Sequence, residues 1–144
     1  MGDWTPLQVK IYDCPEDQRA AVLDVLRDYS LLQGFCESIG ATLTLGDEYG
    51  KHEAAGNESE DLADALLSAA PGATFKTWTD PAYEWLGSGV MYAPGLGRFD
   101  FESDATGTPV FDQGWIVQAL ATSGDFENKI GMPWTRAIHA ITQR

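Results

Sequence analysis

The sequence has few basic side chains and few of the residues that carry most enzyme chemistry. Nine Lys and Arg stand against 22 Asp and Glu in 144 residues, so the formal net charge is −13. A surface of this sign repels phosphate backbones and anionic lipid headgroups, so we predict no direct binding to nucleic acid or to membranes. Cysteine and histidine each occur only twice, which leaves few candidates for a nucleophile or a metal ligand.

The motifs that most reliably indicate an enzyme or a metal site are also missing. The chain has no Walker-type phosphate loop, no G-x-S-x-G elbow, no H-E-x-x-H or C-x-x-C pair and no EF-hand loop. We therefore predict no cofactor and no metal, and we favour a binding function over catalysis. The start MGDWTPLQ lacks a secretory signal and no apolar run reaches about 18 residues, so we predict a soluble, cytoplasmic protein.

The two cysteines are predicted to be free thiols. A helix predicted between Cys14 and Cys36 would hold them roughly 27 Å apart, whereas a disulfide needs Cα atoms within about 7 Å. Cys14 directly precedes that helix, and a helix N-terminus can lower the pKa of a thiol and make it nucleophilic. Because neither histidine lies near it in the sequence, we interpret Cys14 as a small packing residue.

Two alternating segments around a helical segment predict a β-α-β unit at the N-terminus. Apolar residues alternate over 7–12 and again over 41–46, and they recur at helical spacing over 16–32. The polar, Gly-interrupted segment 47–61 is predicted to be an exposed loop. A second helix is predicted over 59–70.

The second half predicts three strands and then two short helices. The strands cover 73–78, 88–93 and 98–103, with a turn at 94–97, and the helices cover 113–121 and 133–141. One face of the hairpin is expected to carry Val90, Tyr92, Phe99 and Phe101. The whole chain, 1–144, is predicted to be one α+β domain: a mixed or antiparallel sheet with the β-α-β unit and two packed helices over 1–111, and a C-terminal helical appendage over 112–144.

The acidic bias is concentrated in the first half, where residues 1–72 hold 14 acidic and 4 basic side chains. Three explanations stay open: general solubility, adaptation to habitat, or an acidic surface that imitates nucleic acid and binds a basic protein. Acidic residues in the first turn of a helix also stabilise the helix dipole. The candidate binding residues are Asp24, Asp28, Glu58, Glu60, Asp61 and Asp64.

The aromatic stretch WTDPAYEWLG, residues 78–87, is a second candidate site. On a short helical turn Asp80 and Glu84 would face each other as acid and base, with Tyr83 as a third polar group and Trp85 as an apolar wall. The alternative is that Asp80 caps a Pro-initiated turn and the aromatic side chains close over the sheet. The exposure of Trp85 distinguishes the two, since a packed Trp85 excludes a pocket.

One weak metal site is also considered. His52 lies in the sequence near Asp47, Glu48 and Glu53, which together could hold a divalent cation. The spacing matches no metal-binding motif. We therefore interpret this segment as a solvated acidic loop.

Residues 74–111 contain three patterns in a fixed order. They are W-x-D-P-x-Y-E-W-L-G, then P-G-L-G-x-F, then D-A-x-G before P-V-F. This stretch resembles small acidic proteins of unknown function from actinobacteria and their bacteriophages. The resemblance implies a high-GC bacterial or phage gene and carries no activity with it. We expect a non-catalytic interaction protein that binds a protein with a basic surface, such as a nucleic-acid enzyme or regulator of a phage host. The alternative is a small enzyme or ligand-binding domain with its pocket at 80–86.

Overall fold

The computed structural model describes residues 5–55, 57–82, 85–122 and 124–143. Within them the chain forms one six-stranded sheet and five α-helices, so the predicted α+β fold is confirmed. The strands are β1 Thr5–Asp13, β2 Leu32–Gln33, β3 Glu48–Ala54, β4 Thr74–Thr79, β5 Gly87–Ala93 and β6 Gly97–Ser103. The helices are α1 Arg19–Asp28, after a 3-10 turn at Glu16–Gln18, then α2 Glu58–Ala69, α3 Gln113–Ala121, α4 Phe126–Lys129 and α5 Met132–Thr142.

The strands lie in the order β2-β3-β1-β4-β5-β6, and every neighbouring pair is antiparallel. Because β3 and β4 are both antiparallel to β1, they run parallel to each other on its two sides. Helix α2 joins them as a crossover that spans β1. No helix in the described ranges is long and apolar enough to cross a bilayer.

The N-terminal prediction was wrong about one strand and about one loop. Residues 41–46 form no strand, although Leu43 is buried, and β3 instead lies inside the segment 47–61 predicted as an exposed loop. Gly50 interrupts the alternation of side chains along β3. The Phe35 ring occupies the position that a side chain at residue 50 would take. Strand β2, which follows α1, is antiparallel to β3, and β3 is antiparallel to β1. Helix α1 therefore joins two parallel strands, β1 and β2, that have β3 between them.

The main core lies between α1, α2 and one side of the sheet, which we call the first face. Leu7, Val9 and Ile11 alternate along β1 and are fully buried on this face. The helices contribute one buried stripe each: Val22 and Leu26 from α1, and Leu62 and Leu66 from α2. Burying each such side chain stabilises the fold by about 1.5–3 kcal/mol before entropy is counted, so this layer dominates stability.

The opposite side of the sheet, the second face, is covered by the C-terminal part of the chain. Trp78 is buried there, and its indole N–H donates to the carbonyl oxygen of Ala105 at 3.2 Å. The Trp134 ring of α5 stacks on Phe99 with 5.2 Å between centroids, and its indole N–H donates to the Gly97 carbonyl at 2.8 Å. Helix α5 therefore packs on the sheet.

The β5–β6 hairpin places the four predicted apolar residues on two faces rather than one. Its turn pairs Ala93 with Gly97, so Val90 lies opposite Asp100 and Met91 lies opposite Phe99. Val90 and Tyr92 consequently point to the first face, whereas Phe99 and Phe101 point to the second face. The expectation that all four share one face was wrong, because alternation alone does not specify how two strands are paired.

Candidate functional site

Residues 80–82 and 85–86 lie where β1 begins, β4 ends and β5 begins. Ala82 and Trp85 exchange two backbone hydrogen bonds of 3.0 and 2.9 Å, so they form an antiparallel bridge rather than the predicted helical turn. The backbone N–H of Asp80 donates to the carbonyl of Pro6 at 3.1 Å and extends the pairing of β4 with β1. No helix begins at Asp80 in the described residues, and its carboxylate instead accepts from the Gln8 amide.

Trp85 and Leu86 lie side by side on the surface, with 67% and 48% of each residue exposed. They border a cavity of about 440 Å³ that is also lined by Thr5, Thr79, Asp80, Ala82 and Ser88. Large apolar side chains exposed together beside a cavity are typical of a binding surface. Tyr83 and Glu84 lie outside the described residues, so their pairing with Asp80 as acid and base stays a prediction.

The polar groups of this cavity are bonded to the fold itself. The Asp80 carboxylate accepts a hydrogen bond from the Gln8 amide at 2.8 Å, and the Thr5 hydroxyl donates to the Asp80 carbonyl at 2.8 Å. The Thr79 hydroxyl accepts from the backbone N–H of Ser88 at 3.1 Å. These bonds hold the cavity wall in place, and the described lining offers shape and apolar surface rather than a paired nucleophile and base.

The first turn of α2 begins at the same end of the sheet as this cavity. The hydroxyl oxygens of Ser59 on α2 and Ser88 in the cavity wall lie 2.9 Å apart. The Thr77 hydroxyl donates to the Ser59 carbonyl at 2.9 Å, which ties the turn to β4. Three predicted binding residues belong to this turn: Glu58, Glu60 and Asp61. The structure thus brings one acidic candidate region next to the aromatic one.

Three of the six predicted acidic residues are already paired with a basic side chain. Asp24 pairs with Arg27 at 3.5 Å, Glu58 pairs with Lys51 at 2.7 Å, and Asp64 pairs with Arg98. Such exposed or partly exposed ion pairs contribute little to stability, about 0–1 kcal/mol each.

The remaining three acidic residues, Asp28, Glu60 and Asp61, are exposed and have no basic partner among the residues that the structure covers. Tyr29, the residue that follows α1, lies near the acidic side of α2. Burial raises the pKa of Tyr29, and the carboxylates of Asp61, Glu58 and Asp64 raise it further. Asp61 therefore belongs, with Glu58 and Asp64, to a region of locally negative potential.

The other sequence candidates form no site. Cys14 is buried, and burial raises its pKa more than the nearby Arg19 lowers it, which agrees with its interpretation as a small packing residue. Both cysteines are free thiols. The His52 ring packs against Phe35 with 5.1 Å between centroids, and Asp47 accepts a hydrogen bond from Gln33. Across the described positions, no three His, Cys, Asp or Glu residues are grouped to hold a metal ion.

Comparison with known proteins gives no guide to the function. No protein-family model, no curated protein and no solved structure matches this chain. The resemblance of residues 74–111 to actinobacterial and phage proteins stays an expectation, and function has to be inferred from geometry and charge.

Proposed function

We propose that this chain is a non-catalytic binding protein whose partner is a protein with a basic surface. The observation that carries the proposal is the exposure of Trp85 beside an open cavity, next to the acidic first turn of α2. An exposed Trp favours binding because its large ring loses much apolar surface to water when a partner covers it. Arg and Lys side chains can also stack on the ring face as cations.

Charge supplies the second step of the recognition. The net charge of −13 attracts a basic protein over distance and speeds the encounter, mainly at low salt. At contact, the unpaired carboxylates of Asp28, Glu60 and Asp61 meet cations that the chain itself does not supply. A partner surface that normally binds phosphates, such as that of a cytoplasmic nucleic-acid enzyme or regulator, fits this arrangement.

The proposal is tested by affinity capture from a bacterial lysate at low and at high salt, with the captured protein identified by mass spectrometry. We expect a basic partner whose capture falls at least tenfold with Trp85→Ala and also falls with the double charge reversal Glu60→Lys and Asp61→Lys. Leu96→Ala is the matched control, because Leu96 is exposed at the β5–β6 turn, outside the cavity. Equal capture by all variants, or a partner indifferent to salt, contradicts the proposal.

A second candidate function is the binding of a small ligand in the same cavity. Its volume of about 440 Å³ lies in the range of small-molecule pockets, about 300–1,000 Å³. A thermal-shift screen of small organic cations tests this candidate, with Ala82→Phe as the variant that fills the cavity. A shift that persists unchanged in Ala82→Phe counts against binding there.

A further inference from the structure

A second groove of about 280 Å³ runs along strand β6, on the other side of Leu86 from the first cavity. Two aromatic pairs form its apolar floor and wall. Phe99 and Phe101 stack with 6.0 Å between ring centroids, and Phe111 and Trp115 stack with 4.9 Å. Trp115 is 40% exposed. The groove therefore offers aromatic surface that the chain only partly covers.

The groove lies beside the outer edge of the sheet, which the chain covers at one end, where Ser103 bridges to Pro109. Strand β6 is the last strand of the sheet, and the Glu102 carbonyl accepts a hydrogen bond from the Val110 N–H at 2.8 Å on the side away from β5. Backbone groups of alternate residues in a strand point to the same side, so the N–H and C=O of Asp100 also point away from β5. In the described ranges no segment pairs with β6 at Asp100, and its edge there is available to another strand.

Side chains of opposite character alternate along this edge. Asp100 and Glu102 point to the first face, where Asp100 lies opposite Val90, whereas Phe99 and Phe101 point to the second face. An added strand would place its own alternate side chains beside these two sets. The arrangement is therefore complementary to a strand with cationic residues on one face and apolar residues on the other.

The charged residues around the groove also favour a cationic ligand. Three acidic residues line it, Asp100, Glu102 and Asp112, together with one basic residue, Lys129. The Lys129 Nζ donates to the Thr122 hydroxyl at 2.6 Å. Asp100 accepts from Arg98, but Glu102 has no basic partner in the part of the chain that the structure describes. An incoming cation would fill that role.

We propose that this groove binds an extended cationic segment of the partner protein, which pairs with β6 as an added strand. Its backbone would bond to the N–H and C=O of Asp100, its apolar side chains would cover Phe111 and Trp115, and its Lys or Arg side chains would meet Glu102. The inference rests on the proposed function in that the partner is basic. Because Leu86 lines both the groove and the first cavity, one partner can contact both.

The probe for the test is a synthetic peptide of about eight alternating lysine and valine residues, titrated into the full chain by NMR. We expect binding that broadens or shifts the Asp100 amide signal and slows its hydrogen exchange. A peptide of alternating glutamate and valine should not bind. A lysine–valine peptide that is N-methylated at every second residue, which removes backbone donors, should bind at least tenfold more weakly.

Two substitutions separate charge from structure. Glu102→Gln should weaken the lysine–valine peptide by about threefold at low salt, the effect of losing one exposed ion pair, whereas Glu53→Gln, an exposed acid on β3, should leave its affinity unchanged. Equal binding of the glutamate–valine or N-methylated peptide, or equal effects of the two substitutions, overturns the inference. If the peptide binds while Trp85→Ala leaves partner capture intact, the groove stands and the proposed function fails. If Trp85→Ala abolishes capture but no peptide binds, only the groove inference fails.

Discussion

The helices on the two sides of the sheet differ in what they bury. Helices α1 and α2 on the first face have fully buried Leu and Val side chains. In α3 only Ala119 is buried, and in α5 no described residue is fully buried. Charge is divided in a similar way, since residues 112–144 hold three acidic and three basic side chains and residues 1–111 hold the whole excess of −13. The first region therefore stabilises the fold, and the second leaves apolar surface for contact.

Helix α3 shows the difference most clearly. Val117 and Leu120, on the side away from the buried Ala119, are 60% and 62% exposed. A helix with apolar residues on all sides is normally buried, whereas α1 and α2 each have one apolar stripe and one polar face. Trp115, one turn before Ala119, lies on the same side of α3 as Ala119 and lines the groove on β6. Val117 and Leu120 therefore point away from that groove.

The largest expected effect separates the two regions by stability. Leu66→Ala on α2 should lower the free energy of unfolding by about 2–5 kcal/mol, because it leaves a cavity in a closed core. Val117→Ala on α3 should change it by less than about 0.5 kcal/mol, because the side chain already contacts water. Urea unfolding followed by circular dichroism measures both, and similar losses in the two variants would show that the regions do not differ.

A smaller effect concerns pH and the second face. Burial, with a further contribution from the Glu48 carboxylate, raises the pKa of Tyr12 from 10.0 to about 12. Between pH 10 and 12 the unfolded chain loses this proton first, so stability falls as pH rises, by up to roughly 2.5 kcal/mol. Tyr12→Phe should remove this part of the alkaline loss, as measured by unfolding at pH 9 and at pH 11.5. An unchanged difference between the two pH values would exclude Tyr12 as its source.

The smallest expected effect compares two Trp residues of the C-terminal part. Trp134→Phe should cost about 1 kcal/mol, because the indole N–H loses its bond to the Gly97 carbonyl while the ring still stacks on Phe99. Trp115→Phe should cost less than about 0.5 kcal/mol, since Trp115 is 40% exposed and its stacking on Phe111 can be kept. Thermal unfolding of the two variants measures the difference. A larger loss for Trp115→Phe would mean that α3 contributes more to stability than its exposure indicates.

The parts of the fold that were predicted correctly depend on neighbours in the chain. Asp112 precedes α3 and its carboxylate accepts the Trp115 backbone N–H at 2.7 Å, and Pro133 stands in the first turn of α5. The turn between β5 and β6 was likewise predicted from its Pro and Gly residues. Strand β3 was missed because a residue distant in the sequence, Phe35, lies over Gly50 and permits a glycine within the strand.

By itself the sequence determined the α+β class, the C-terminal helices α3 and α5, and the negative charge, because these follow from local periodicity, capping residues and composition. Only the tertiary structure decided which aromatic side chains are buried. Trp78 is covered by residues around Gly107, whereas Trp85 is exposed to solvent. The bond between Ser59 and Ser88 likewise brings the acidic turn of α2 next to the exposed Trp85. These contacts join residues far apart in the chain, so they depend on strand register and helix packing, which no local pattern specifies.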